Sequence, residues 1–164
     1  MKYLSYRFIS LYAFLLAVGL LGFAGFMQLS MAMQPCPLCI MQRLIVAAIG
    51  LLFIAGIFHV PLSRNRKIYN GVILLFSILG ILVSSRHIYL QHLPTGKAPT
   101  CGPGFNFLFQ NLPTTDAIKM MFMGSGECSE VHWHFLGLTI PEWTFIFFII
   151  FAGLAIYQMI RQKV

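Results

Sequence analysis

The sequence predicts an all-α integral membrane protein: a four-transmembrane-helix bundle with two outward loops and both termini in the cytoplasm. Three observations predict it. Of 164 residues, 59% are hydrophobic and 9% charged, with a mean hydropathy of +0.82, whereas a soluble domain carries about 25% charged residues. Four apolar stretches approach or reach the roughly 20 residues needed to cross a bilayer core. The basic residues gather in three segments that an even number of spans puts on one side.

The chain reads as one membrane domain, 1–164, without internal repeat or low-complexity linker. The spans fall at about 9–29, 41–61, 67–88 and 142–161. Leu11–Met27 is uncharged and carries Gly19, Gly22 and Gly25, a small-residue spacing expected to admit a neighbouring helix. Leu44–Leu62 is interrupted only by the titratable His59, a structural residue on this reading. Ile68–Ser85 follows a short basic turn, and Trp143–Ile160 ends before Arg161 and Lys163. A cleaved signal peptide is disfavoured for the first span, whose apolar run is long and lacks a small-x-small site behind it.

Orientation comes from charge. Lys2 and Arg7, then Arg64, Arg66 and Lys67, then Arg161 and Lys163 make up seven of the eleven basic residues. Lysine and arginine beside spans favour the cytoplasm. The net charge of +7 is thus topological; no basic stripe suited to nucleic acid exists. The four acids, Asp116, Glu127, Glu130 and Glu142, all lie in the last third of the chain. The outer loops cover about 30–40 and 89–141. In the longer one, Thr115–Met123 reads equally as a short surface helix capped by Thr115 or as an ordinary turn.

All four cysteines fall in these outer segments: Cys36 and Cys39 in the first, Cys101 and Cys128 in the second. An even number outside the cytosol usually means disulfides. On their own, Cys101 and Cys128 read best as structural staples. Cys36-Pro37-Leu38-Cys39 does not, because so small a ring gains little as a staple and suits reversible dithiol chemistry. Pro35 and Pro37 mark a helix start, which places Cys39 in its first turn. The helix N-terminus stabilises a thiolate there, and Arg43, four residues on, adds fixed positive charge. A zinc site of the C-x-x-C with Cys128, His132 and His134 is disfavoured, since zinc motifs normally show a second close pair whereas Cys101 and Cys128 lie far apart, and since Arg43 repels a cation; no metal is expected.

Electrons leaving a membrane thiol need an apolar two-electron acceptor, which a quinone provides. Arg43 and His87, at the outer ends of spans two and three, are the candidate quinone-binding residues. Arg86 reads as a snorkelling charge, His132 and His134 as loop hydrogen-bonders, and His92 has no assigned role.

Four stretches carry a resemblance: PCPLCIMQR at 35–43, RHIYLQHLP at 86–94, PTCGPGFNFL at 99–108 and GSGECSEVHWHFLGLTIPEW at 124–143. With the four spans they make nearly the whole chain resemble the disulfide bond formation protein B (DsbB) family of bacterial inner-membrane thiol oxidases. The resemblance implies a multi-pass protein of the inner membrane with its cysteine loops in the periplasm. It implies a protein-dithiol:quinone oxidoreductase that reoxidises a periplasmic thioredoxin-fold partner of DsbA type. The partner's thiolate would attack Cys101 of a Cys101–Cys128 disulfide, freed Cys128 would exchange with Cys36, and Cys39 would pass the electrons to ubiquinone or menaquinone held near Arg43 and His87. Gly102, Gly104, Gly124 and Gly126 would lend the long loop its reach. One departure is Gln42, where some relatives carry an acid.

Two alternatives remain at this stage. A vitamin K epoxide reductase-like enzyme would carry its C-x-x-C in the last helices, not at the start of span two. A tetraspanin-type scaffold, disulfide-stapled and non-enzymatic, would need no reactive C-x-x-C.

Overall fold

The computed structural model describes residues 2–30, 35–59, 63–93, 115, 128 and 133–161, with the side chains of 2–5, 59 and 63–65 excepted. Helix α1 runs Lys2–Ser30, α2 Pro37–His59, α3 Ser63–Gln91 and α4 Ile140–Arg161, with strands β1 His134–Phe135 and β2 Leu138–Thr139 just before α4. Each helix contains a membrane-length apolar segment: Tyr6–Ser30, Pro37–Phe58, Arg66–Gln91 and Ile140–Arg161. Helices close every backbone hydrogen bond within the segment, which lipid requires. The expected four-helix membrane bundle is therefore present, although α2 starts at Pro37, about four residues before the expected span.

Helix α1 packs on α2, α2 on α3, and α3 on α4, while α1 and α4 touch little. The core is built from Ala13 and Ala17 of α1, Val46, Ile49 and Phe53 of α2, Ile73 of α3, and Phe148, Phe151 and Ala155 of α4. Large apolar side chains such as Phe8, Leu51, Phe58 and Leu82 point outward. That inversion suits a lipid solvent, against which only close packing and polar contacts hold helices together.

The glycines of α1 do not do what their spacing suggests. A Cβ on Gly19, Gly22 or Gly25 would meet nothing within 4 Å. The close approaches occur elsewhere: a Cβ on Gly50 would stand 3.1 Å from Ala17 Cβ, and one on Gly80 would run into the Phe148 ring. A spacing of small residues permits approach on one face, but neighbouring bulk decides which face is used.

The α3–α4 pair is antiparallel, with Gly80 against Phe148 and the Thr139 hydroxyl 3.0 Å from Gln91 Oε1 at the end bearing the cysteines. Helix α4 begins with a capping box: Glu142 Oε2 accepts from the Thr139 backbone N–H at 2.6 Å and from its hydroxyl at 3.0 Å. Before it, β1 and β2 pair antiparallel, His134 with Thr139 and Phe135 with Leu138. Leu136 and Gly137 turn the hairpin with φ of 53° and 82°, the geometry of a tight two-residue turn. Trp133 stacks on Phe135 at 5.7 Å and tilts against Phe23 of α1 at 5.6 Å, and the Trp143 indole donates to the Phe135 carbonyl at 3.1 Å. This aromatic row anchors the hairpin to α1 and α4.

Candidate active site

The N-terminus of α2 is where sequence and chemistry meet. Pro37 takes the first helical position, where its missing N–H costs nothing. Ile40 N–H donates to the Cys36 carbonyl at 3.1 Å, so Cys36 is the cap. Its sulfur takes the role a serine oxygen often fills, accepting the Cys39 backbone N–H at 3.3 Å. This local fold brings the two sulfurs to 2.9 Å. Cys36, Cys39 and Cys128 are free thiols here.

Two further groups arrive from distant parts of the chain. His87, on the last turns of α3, brings Nε2 to 3.8 Å from Cys36 Sγ. Cys128 Sγ completes a trio with Cys36 Sγ and a His87 ring nitrogen, all within 4.8 Å of one another. Leu38, Val83 and Leu90 wall this trio. Cys36, His87 and Cys128 are 5%, 3% and 1% exposed, whereas Cys39 is only half-buried. Hydrogen bonding to Cys128, then to Cys39, then burial push the Cys36 thiol well above its ordinary value of 9.0. In this state Cys36 carries a proton, and Cys128 lies a short displacement from bonding to it.

Of the residues singled out in the sequence, Cys36, Cys39, Cys128 and His87 are thus brought together. Cys101 and His132 lie outside the described residues, as does the Thr115–Met123 segment apart from the exposed, helical Thr115. Arg43 turns to the other side of α2. Its Nη1 donates to Gln28 Oε1 at 2.6 Å and its Nη2 to the Ala24 carbonyl at 3.0 Å, fastening α2 to α1. Arg86 is exposed, with its guanidinium 5.5 Å from the Tyr89 ring centre, as a snorkelling side chain would be. His92 Nδ1 lies 2.9 Å from the Ile88 carbonyl, and His134 is exposed in β1.

Sequence reasoning passed over the role of Gln42. Its Nε2 lies 3.4 Å from His87 Nδ1, and the side chain is 4% exposed. The available signal was an amide three residues after Cys39 in an otherwise apolar run. Among the described residues, the same geometry defines the donors a soft cation would use: Cys36, His87 and Cys128.

The comparisons with known proteins follow the same outline. The family model described as "Disulfide bond formation protein DsbB" matches residues 6–158. The chain belongs to the DsbB family. A disulfide bond formation protein B of Nitrosococcus oceani is 42% identical over 158 residues, covering 96% of this chain and 94% of that one. Its counterpart in Saccharophagus degradans is 39% identical, covering 96% and 95%. That of Methylococcus capsulatus is 39% identical over 157 residues, covering 96% and 94%. As a DsbB-family member with four membrane-length helices, the chain is a multi-pass bacterial membrane protein and an oxidoreductase of disulfide-bond formation. The matched span contains the C-x-x-C, Cys101, Cys128, Arg43 and His87.

Proposed function

We propose that this chain is a quinone-dependent thiol oxidase that reoxidises a periplasmic thioredoxin-fold partner of DsbA type, with its cysteine loops in the periplasm and its basic segments in the cytoplasm. The observation that carries this reading is the approach of Cys128 to the capped end of α2, within 4.8 Å of Cys36, whose sulfur is 2.9 Å from that of Cys39. Three sulfurs from two loops in such an array suit serial disulfide exchange.

The steps balance as follows. A partner thiolate attacks Cys101 of the Cys101–Cys128 disulfide; the mixed disulfide forms, and Cys128 leaves with the electron pair. Cys128 then bonds to Cys36 Sγ, the Cys36–Cys39 bond breaks, and the pair passes to Cys39 Sγ. The partner's second thiol resolves the mixed disulfide and leaves oxidised, and the electron pair passes to Cys101 Sγ. Cys101 then bonds to Cys128, the Cys36–Cys128 bond breaks, and the Cys36–Cys39 dithiol closes again as its two electrons leave. A quinone, ubiquinone or menaquinone, supplies acceptance of two electrons and two protons. The fit to this chain rests on Cys39, which is half-buried at the lipid boundary while its two exchange partners are enclosed. Arg43, one turn along α2, has N–H groups left beyond its two bonds to α1 and is the proposed donor to a quinone oxygen. His87 has both ring nitrogens facing partners, Gln42 and Cys36, so its contribution falls on the sulfur side of the same site.

The test is stoichiometric. Purified chain in lipid nanodiscs, given reduced DsbA-type protein and excess quinone, is expected to form one quinol per partner disulfide. Cys36→Ser and Cys39→Ser are each expected to abolish turnover. Full activity in either variant, or partner oxidation without quinol, contradicts the reading.

A further inference from the structure

Gln42 is an amide buried in an apolar wall, and the thiol relay itself gives it no task. Its Nε2 lies 3.4 Å from His87 Nδ1 across the α2–α3 contact. The His87 ring has two more neighbours. Its Nε2 is 3.8 Å from Cys36 Sγ, and Cys128 Sγ lies within 4.8 Å of both the ring and Cys36 Sγ. Gln42, His87 and Cys36 are each 5% exposed or less, so water has little access to replace any partner.

These partners dictate where the ring carries its hydrogen. An amide nitrogen can only donate, so the Nδ1 that faces Gln42 Nε2 must be bare. A neutral imidazole with a bare Nδ1 carries its hydrogen on Nε2, the nitrogen that faces the Cys36 sulfur. The opposite tautomer would set two N–H groups against each other across the 3.4 Å contact. Ring contacts of this kind hold orientation as well as tautomer, as the outer partners of metal-bound histidines do.

We propose that Gln42 is a positioning residue: by donating to His87 Nδ1 it holds the ring with Nε2–H directed at Cys36 Sγ beside Cys128 Sγ, which sets those two sulfurs for exchange. The proposal rests on the thiol-relay reading above and deepens it. In the step it serves, Cys128 Sγ bonds to Cys36 Sγ, the Cys36–Cys39 bond breaks, and the electron pair leaves on Cys39 Sγ. Neither Gln42 nor His87 gains or loses a proton. The two act by geometry, on the register of the sulfurs.

The experiment uses the full chain in nanodiscs with ¹⁵N-labelled histidine, as wild type, Gln42→Leu and Gln42→Glu. The His87 resonances are identified by their loss in His87→Gln. Wild type is expected to show a protonated Nε2 and a bare Nδ1. Gln42→Leu removes the donor at similar volume and is expected to populate both tautomers. It should also slow formation of the Cys36–Cys128 bond, followed by rapid quench, about tenfold, the weight of one hydrogen bond. Gln42→Glu keeps the shape but only accepts, so it is expected to show hydrogen on both ring nitrogens. A bare Nε2 in wild type overturns the proposal, and so does Gln42→Leu with wild-type tautomer and exchange rate. Should Gln42→Leu misfold, the wild-type and Gln42→Glu spectra decide. A wild-type chain that oxidises no partner would defeat the relay reading alone, because the spectra report the tautomer without turnover.

Discussion

The Cys36 sulfur caps the helix that carries Cys39, accepting the Cys39 N–H at 3.3 Å while the two sulfurs stand 2.9 Å apart. The helix start that orders the turn therefore also holds the dithiol ready to close, with no movement of α2 as a whole. Pro37 enforces this by fixing the first helical residue. Cys128 Sγ lies within 4.8 Å of Cys36 Sγ at the same cap, so exchange between them needs only a short displacement.

Cys36 gives a pH dependence with a definite sign. Its folded-state pKa lies above the ordinary 9.0, because Cys128 and Cys39 hydrogen-bond its protonated form and burial disfavours the thiolate. Above pH 9 the unfolded chain loses this proton and the folded chain keeps it. The contribution is thus fully present below pH 9 and is lost as pH rises beyond it. Denaturation of the reduced chain in detergent between pH 9 and 10 is expected to show a slope steeper than that of Cys36→Ala by up to about 1.4 kcal/mol per pH unit. Equal slopes would place Cys36 in an ordinary thiol environment.

Arg43 has two separable duties: it ties α2 to α1, and it is the proposed donor to quinone. Gln28→Ala removes the 2.6 Å bond to α1 and keeps the guanidinium. Arg43→Ala removes both. The quinone KM is expected to rise about ten- to hundredfold in Arg43→Ala, the range of a charge-assisted hydrogen bond, and to stay near wild type in Gln28→Ala. Matching KM changes in the two variants would make Arg43 a structural tie only.

Gly80 tests the packing of α3 on α4. A Cβ there collides with the Phe148 ring, which is fully buried. Gly80→Ala is expected to lower stability by about 1–3 kcal/mol, as overpacking does. Gly19→Ala and Gly22→Ala, where a Cβ meets nothing within 4 Å, should change stability little. Thermal unfolding in detergent separates these outcomes.

Leu136 holds φ at 53° in the hairpin turn and is largely exposed, so it carries backbone strain without burial to offset it. Leu136→Gly relieves that strain and is expected to raise stability by about 1 kcal/mol. A fall in melting temperature would mean that the leucine side chain holds the hairpin down at the membrane surface.

The helices were legible because lipid asks for long apolar runs, and the start of α2 was legible because Pro37 and the C-x-x-C spacing both point to it. Contacts between helices were less so. Gly19, Gly22 and Gly25 promised a close approach that Gly50 and Gly80 make instead, since small-residue spacing does not reveal how a helix is rotated in its bundle. Arg43 and His87 stood at matching depth in the sequence, yet Arg43 turns from α2 to α1 while His87 turns from α3 to the start of α2. Gln42 was passed over for the same reason. Its partner lies 45 residues away, and only the packed α2–α3 pair brings them together.

The central claim is that electrons pass from Cys128 through Cys36 to Cys39. The most direct measurement is a rapid-quench time course of the wild-type chain in nanodiscs, mixed with reduced DsbA-type protein, alkylated and mapped by mass spectrometry. The account predicts an early species with a Cys36–Cys128 disulfide, Cys101 bonded to the partner, and Cys39 alkylated as the free thiol. Oxidised partner accumulating while Cys36–Cys39 stays intact at every time point, with no Cys36–Cys128 bond, would contradict it.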